Sequence, residues 1–319
     1  MEKFKIAKFQ FEAVAQEKIL LPAYKGSTFR GGFGHVLKRI TCVNKRQECE
    51  SCLLKEKCLY MYLFETSPPQ NTKIMRKYRS VPRPFVIEPP LSSDREYHKE
   101  QDLSFGLILI GKAIEYLPYF VFTFQELGKI GLGKDRGKYV LEKVVSLGLT
   151  KKSIIYQEKD NLLHDSYHLV TPDDFQGISS RLPQNRLTLK FITPTRIKYQ
   201  DRLTQQPEFH VIVRNLLRRI ALLSYFHCHQ EFKKEEIRGL IDKAKQIKIK
   251  DQNLRWYDWE RYSSRQNTRM KLGGFLGEIT YEGRNLKDFL PYVFLGSYIH
   301  VGKGASFGLG RYEITTERR

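Results

Sequence analysis

The 319-residue sequence predicts an α+β chain built from two tandem ferredoxin-like domains. Three observations carry that prediction. The length is generous for one hydrophobic core and suits two of about 150 residues each. Leu117-Pro118-Tyr119 recurs 173 positions later as Leu290-Pro291-Tyr292, and the same offset maps Gly131, Gly137, Lys138 and Tyr139 onto Gly304, Gly310, Arg311 and Tyr312. In each half, the hydrophobic period also switches between strand and helix values in the order β-α-β-β-α-β. Matched spacing of this kind marks a duplication. A second echo, His35-Val-Leu-Lys-Arg-Ile40 against Asn215-Leu-Leu-Arg-Arg-Ile220, agrees with it.

The elements follow in order. Alternation over residues 3–14 predicts a strand, with a slip at Ala7-Lys8 that reads as a bulge. Gly26 opens a helix to about residue 40, with Ser27 or Thr28 placed to cap it. Residues 60–64 and 84–88 read as extended and 102–110 as a buried strand. Residues 112–127 read as a helix with Pro118 inside, and 138–147 close the first domain, residues 1–147. Polar residues 148–185, with Asp and Asn turns, read as a linker or variable excursion. The second domain, 186–319, starts with a strand at 187–198 and a helix at 208–226. A charged helix at 233–248 reads as an insertion. Extended segments at 255–262 and 270–281, a helix at 286–299 and a strand at 307–315 complete it.

Charge narrows the function. Lys and Arg number 55 against 35 Asp and Glu, a formal net charge of +20. A hydrophobic content of 41% is enough for folded cores, so this is not a disordered basic tail. A folded protein this basic meets a polyanion, and nucleic acid leads the candidates. Residues 181–271 alone hold 21 Lys and Arg against 9 Asp and Glu. Within them, Arg214 and Arg218 stand four apart on one helix. Arg255, Arg261, Arg265, Arg269 and Lys271 run through Trp256, Tyr257, Trp259 and Tyr262. Cations interleaved with aromatics hold a backbone and stack bases together. Trp256 and Trp259 would face opposite sides of a strand, so one is expected in the core. Arg76, Lys77, Arg79 and Arg83 form a second basic run. The N-terminus has charges where a signal peptide needs an apolar run, and Lys112 and Glu115 interrupt the most apolar stretch. A cytoplasmic protein with no membrane partner is expected.

Cys42, Cys49, Cys52 and Cys58 cluster with spacing C-x6-C-x2-C-x5-C. In a cytosolic chain such a cluster favours metal over disulfides. The inner pair fits a zinc knuckle, while the outer gaps are looser, so a structural zinc and four plain thiols both stay open. Four thiolates would leave zinc no open position for chemistry. Cys228 reads as a core residue.

The most informative stretch is His300-Val-Gly302-Lys303-Gly304-Ala-Ser306-Phe-Gly308-Leu-Gly310-Arg311. Its four glycines permit positive φ and close approach of a ligand to the main chain. Exposed consecutive amides with Lys303 and Arg311 beside them suit a phosphodiester.

These residues resemble a known family, the CRISPR-associated endoribonucleases that cut precursor CRISPR RNA within its repeats. They belong to the repeat-associated mysterious protein (RAMP) superfamily. The resemblance covers nearly the whole chain. It rests on the segment from Leu21-Pro-Ala-Tyr-Lys through Phe29-Arg-Gly-Gly-Phe-Gly-His35, on Pro82-Arg-Pro-Phe-Val-Ile-Glu-Pro-Pro90, on Gly273-Gly-Phe-Leu-Gly-Glu-Ile-Thr-Tyr281, and on the glycine-rich loop at 302–310. It implies RRM-like βαββαβ domains and a metal-independent cut, with no cofactor for catalysis. The 2′-hydroxyl attacks the adjacent phosphorus, giving a 2′,3′-cyclic phosphate and a 5′-hydroxyl. That reaction needs a base, an acid and positive charge on the phosphorane.

The family places a catalytic histidine on or near the first helix, and His35 matches that position. Arg30, Lys38 and Arg39 are expected to make a phosphate-facing surface around it, the last two sharing its helical face. His300 is the rival for proton transfer; its other reading is a helix-end residue meeting the dipole. Lys303 would steady the phosphorane or hold one phosphate among several. Tyr24 would supply a hydroxyl or simply pack. Implied partners are CRISPR repeat RNA, CRISPR effector-complex subunits and a second copy of the chain in a homodimer. The alternative is a non-catalytic RNA-binding subunit on the same duplicated fold, although such a subunit has no need of histidines beside phosphate sites.

Overall fold

A computed structural model describes residues 3–45, 47–180, 182–263 and 268–315. The described residues divide into two compact units. The first is Phe4–Val170 with Phe226–His229; the second comprises Lys3 and residues 171–225 and 230–315. Each is α+β with an antiparallel sheet.

The first unit runs β1 (Ile6–Ala15), β2 (Ile19–Leu20), α1 (Gly26–Thr41), β3 (Phe85–Glu88), β4 (Glu96–Tyr97) and β5 (Asp102–Ile110). Then come α2 (Leu117–Ile130), β6 (Tyr139–Leu147), β7 (Lys152–Gln157) and β8 (Leu162–Leu163). Its main sheet has the order β3-β5-β1-β6-β7-β8, and β2 pairs with β4. Phe9, Phe11 and Ala13 alternate into the core below α1 and α2, where Phe33 stacks on Phe120 at 4.8 Å and Phe105 meets Phe124 at 4.7 Å. Each such ring contributes about 1.5–3 kcal/mol by leaving water.

Several sequence expectations shift here. The irregularity in β1 lies between Glu12 and Ala13, opposite β6; Ala7 and Lys8 pair regularly with β5. Helix α1 starts on Lys25, whose carbonyl accepts the amides of Thr28 and Phe29, so Ser27 and Thr28 are inside the helix and not caps. Residues Met61–Glu65 form one π-helical turn where extended chain was expected, because that curl buries both Met61 and Leu63. Segment 148–185, read as a linker or variable excursion, carries regular elements. Its first part adds β7 and β8 to the sheet, and its second forms α3 (Pro172–Ser179), capped by Thr171 and Asp174, in the second unit.

The second unit continues with β9 (Arg186–Thr195), β10 (Lys198–Tyr199), β11 (Arg202–Leu203), α4 (Phe209–His227), α5 (Lys234–Ala244), β12 (Lys248–Tyr257), β13 (Glu260–Ser263) and β14 (Thr268–Lys271). It closes with β15 (Gly274–Glu282), α6 (Leu290–Ile299) and β16 (Tyr312–Thr315). The sheet order is β12-β15-β9-β16, with separate hairpins β10-β11 and β13-β14. Phe209 packs against Tyr281 and Phe289, and Phe175 of α3 against Phe294 of α6. Neither Trp256 nor Trp259 is a core residue: both are half-buried, and Trp256 donates its indole N–H to Asp258. Arg265 and the side chains of Arg261, Tyr262, Arg269 and Lys271 lie outside the described residues. Among the described residues, no helix is long and apolar enough to cross a membrane.

The two units repeat one construction in detail. A 3-10 turn leads into α2 and into α6, and Pro118 and Pro291 sit in the first turn of each. Proline is favoured there because its missing N–H would have no helical acceptor, so Pro118 starts its helix instead of interrupting it. Tyr139 opens β6 and Tyr312 opens β16; both are buried and donate their hydroxyls to the preceding helix at Phe124 and Val293. Within this helix-loop-strand segment the copies differ in helix length. Helix α6 has 10 residues against 14 in α2, and the missing turn lengthens the following loop. Gly137 and Gly310 still correspond, but the residue ending α6 opposite Gly131 is His300, not Gly304.

Candidate functional site

The loop after α6 owes its shape to backbone conformations that side chains resist. Gly302, Gly304, Gly308 and Gly310 have φ of 82°, 80°, 83° and 74°. At Gly310 an added Cβ would lie 1.8 Å from the Val301 carbonyl oxygen, so only glycine fits. The loop is braced on β9. Thr193 donates its hydroxyl to the Gly308 carbonyl at 2.7 Å and accepts the Arg311 amide at 2.9 Å. Lys303 donates its amide to Arg196, and Gly310 to Pro194. The amides of Val301, Phe307 and Gly308 also end on loop carbonyls. This corrects the picture of an open row of exposed amides: the backbone is committed to the loop's own rigidity. Presented outward are the exposed Lys303, with no ion-pair partner among the described residues, and the half-buried Ser306 and Arg311.

His300 is fully buried, and its imidazole Nδ1 lies 3.1 Å from the Leu309 carbonyl, the N–H donating. Its φ of 63° and ψ of 162° match the conformation of Gly131, at 96° and 152°. That region is nearly reserved for glycine, so the surroundings must hold the histidine there. Arg219 supplies part of that support, donating Nε to the Ile299 carbonyl at 2.9 Å. Burial lowers the Arg219 guanidinium to about 10, which leaves it charged at neutral pH beside the negative end of α6. His300 therefore braces the loop. An imidazole sealed from solvent in this way does not suit the proton transfer expected of it.

On the first unit, α1 turns Phe29, Phe33, Val36 and Leu37 inward and leaves His35 and Arg39 exposed, one turn apart. Lys38 departs from this face. Its ammonium lies 5.8 Å from the Tyr60 ring centre and pulls the Cys49 thiol down electrostatically. Arg30 departs further: it is 6% exposed and lies 4.1 Å over the Phe64 ring. Arg83 donates Nε to the Phe64 carbonyl at 2.5 Å. Phe64 itself lies across Gly34, where a Cβ would come within 2.1 Å of the ring. Arg30 and Arg83 thus hold the Met61–Glu65 turn onto α1.

Arg79 is exposed but paired with Glu50 at 2.5 Å, and exposed Arg76 donates Nε to the Thr72 carbonyl. Burial and the nearby Glu88 push the Tyr24 phenol well above its ordinary value, which keeps it protonated and unfit as a base. The four clustered cysteines are half-buried free thiols. Burial raises the Cys49 thiol, against the opposing pull of Lys38, with Cys42 and Cys58 among its electrostatic neighbours. Among the described residues, no three Cys, His, Asp or Glu side chains are grouped to hold a metal ion. Cys42 donates its thiol to the Asn44 carbonyl. Arg214 and Arg218 are both exposed on α4 and line a polar cavity with Lys198, Tyr199, Gln200 and Asn215. His210 stands four residues before Arg214 on the same helix, a spacing that the sequence alone displays.

Comparison with known proteins gives the following. Residues 189–312 match the family model of the CRISPR-associated endoribonuclease Cas6. Residues 4–168 match the model AF_1859_N, described as an N-terminal domain. An uncharacterized protein of Archaeoglobus fulgidus is 26% identical over 92% of both chains. A Thermus thermophilus Cas6 product complex is similar in fold over 97% of this chain and 99% of that one, with a TM-score of 0.58 and 16% identity. A partial Cas6-RT-Cas1–Cas2 complex reaches a TM-score of 0.60 at 12% identity, over 98% of this chain and 46% of that one.

Proposed function

Because this chain belongs to the CRISPR-associated endoribonuclease Cas6 family, with a first half of the AF_1859_N type, we propose that it cuts precursor CRISPR RNA within its repeats, without metal, to release guide RNAs. Both units are read as ferredoxin-like. In the orders β3-β5-β1-β6 and β12-β15-β9-β16, the first and third strands of each domain take the two central places.

The observation that carries the reading is the braced glycine loop with Lys303 exposed on it. In the proposed reaction, the 2′-hydroxyl loses its proton and attacks the adjacent phosphorus. The bond to the 5′-oxygen breaks, and that oxygen takes up a proton. The products are a 2′,3′-cyclic phosphate and a 5′-hydroxyl. The nucleophile belongs to the RNA, so no metal-bound water is required. His35, exposed on α1, carries a proton-transfer role, for which an imidazole is suited near neutral pH. Lys303 stabilises charge on the phosphorane. His300 and Thr193 act through the loop they position.

The test is cleavage of a labelled repeat RNA in excess EDTA. Cleavage that persists in EDTA, leaves a cyclic phosphate and stops with a 2′-deoxy nucleotide at the cut site is the expected result. Binding without any cleavage would identify an RNA-holding subunit instead.

A further inference from the structure

We propose that the second unit carries a pocket for one unpaired nucleotide of the bound RNA, formed between the β10-β11 hairpin and the exposed face of α4. The proposal rests on the RNA-processing reading and adds a recognition site to it.

The hairpin tip is an unusual piece of backbone. Gln200 and Asp201 both have positive φ, 45° and 63°, as a two-residue turn of mirror-image type requires. Glycine or asparagine normally takes such positions, so this turn is held by its surroundings. Lys198 clasps it through Asp201 at 2.7 Å. Tyr199 is fixed from α4. The carboxylate of Glu208 lies 3.1 Å from His210 Nδ1. On its other side, His210 Nε2 shares a hydrogen bond with the Tyr199 hydroxyl at 3.3 Å. The two rings meet edge to face, 78° apart.

His210, Arg214 and Arg218 follow one another at four-residue spacing on one helical face. Arg214 and Arg218 are exposed and have no carboxylate partner among the described residues. The cavity they bound with Lys198, Tyr199, Gln200 and Asn215 measures about 300 Å³. That is the small end of ligand-site volumes, right for one nucleotide and too small for a helix. Two guanidiniums one turn apart suit a phosphate, the tyrosine ring suits a base face, and the Gln200 and Asn215 amides suit a base edge. Single-stranded RNA is read in this manner, with bases splayed from the stack.

The test uses the full chain and repeat RNAs carrying 4-thiouridine at one position at a time. A single unpaired position is expected to crosslink within residues 198–218. An abasic nucleotide at that position should weaken wild-type binding about tenfold and leave binding by Tyr199→Ala unchanged. Arg214→Glu with Arg218→Glu should weaken repeat binding tenfold or more, with the thermal melt unaltered because both side chains are exposed. Crosslinks spread over many positions, or an abasic penalty equal in wild type and Tyr199→Ala, would overturn the pocket alone. Failure of the wild-type chain to bind repeat RNA would overturn both the pocket and the RNA-processing reading.

Discussion

Replacing His300 by glycine and by alanine separates bracing from chemistry through an inversion of the usual stability order. Both variants lose the bond to the Leu309 carbonyl, about 1 kcal/mol net, and both lose the same ring volume. They differ at the backbone. At φ 63° and ψ 162°, alanine keeps a strain of about 1–3 kcal/mol that glycine does not feel. Glycine loses about 0.5–1 kcal/mol to the greater freedom of its unfolded chain. His300→Gly should therefore be the more stable variant by about 1 kcal/mol, or roughly 2 °C in Tm for a protein of this size. Thermal and urea denaturation of the two variants read this directly. An alanine variant as stable as the glycine variant, or more so, would refute the assigned strain. Single-turnover cleavage at saturating RNA gives the second readout, and both variants should stay within about tenfold of wild type. A loss of about a hundredfold or more in both, the scale of a missing general acid or base, would return His300 to the chemistry.

Other outcomes follow from the same structure. His35→Ala should reduce single-turnover cleavage by about 10²–10⁴-fold while repeat affinity holds, since the side chain is exposed and its removal disturbs no packing. Tyr24→Phe should cleave at close to the wild-type rate, because a phenol held protonated by burial and Glu88 offers no base to lose; a hundredfold drop would contradict this. Gly310→Ala should weaken repeat binding and lower stability by more than about 2 kcal/mol, because the new methyl group meets the Val301 carbonyl; a melt equal to wild type would refute the loop geometry. Repeat affinity should fall steeply from about 50 to 200 mM salt as phosphate contacts release counterions, and a flat profile would argue against the basic surface.

The element order, the duplication and the special loop were legible in the sequence because their signals are local or periodic. Strand alternation, a proline at a helix start and glycines at fixed spacing each follow from one short stretch of chain. The positive charge is a sum over the whole chain that needs no fold to be read. What tertiary structure decided was the fate of individual side chains, since burial depends on residues remote in sequence. Arg30 and Arg83 read from sequence as basic surface, and only the fold shows Phe64 placed against both of them and over Gly34. Lys38 shares a helical face with His35 on paper, yet it is half-buried with its ammonium toward the Tyr60 ring. His300 stands beside the glycine loop in sequence, and only the shortening of α6 by one turn shows that it occupies the place Gly131 holds in the first unit. The pocket on α4 needed the β10-β11 hairpin to meet that helix, which no periodicity announces. Sequence determined which chemistry the chain carries; packing between distant segments determined which of those groups are left facing outward to use it.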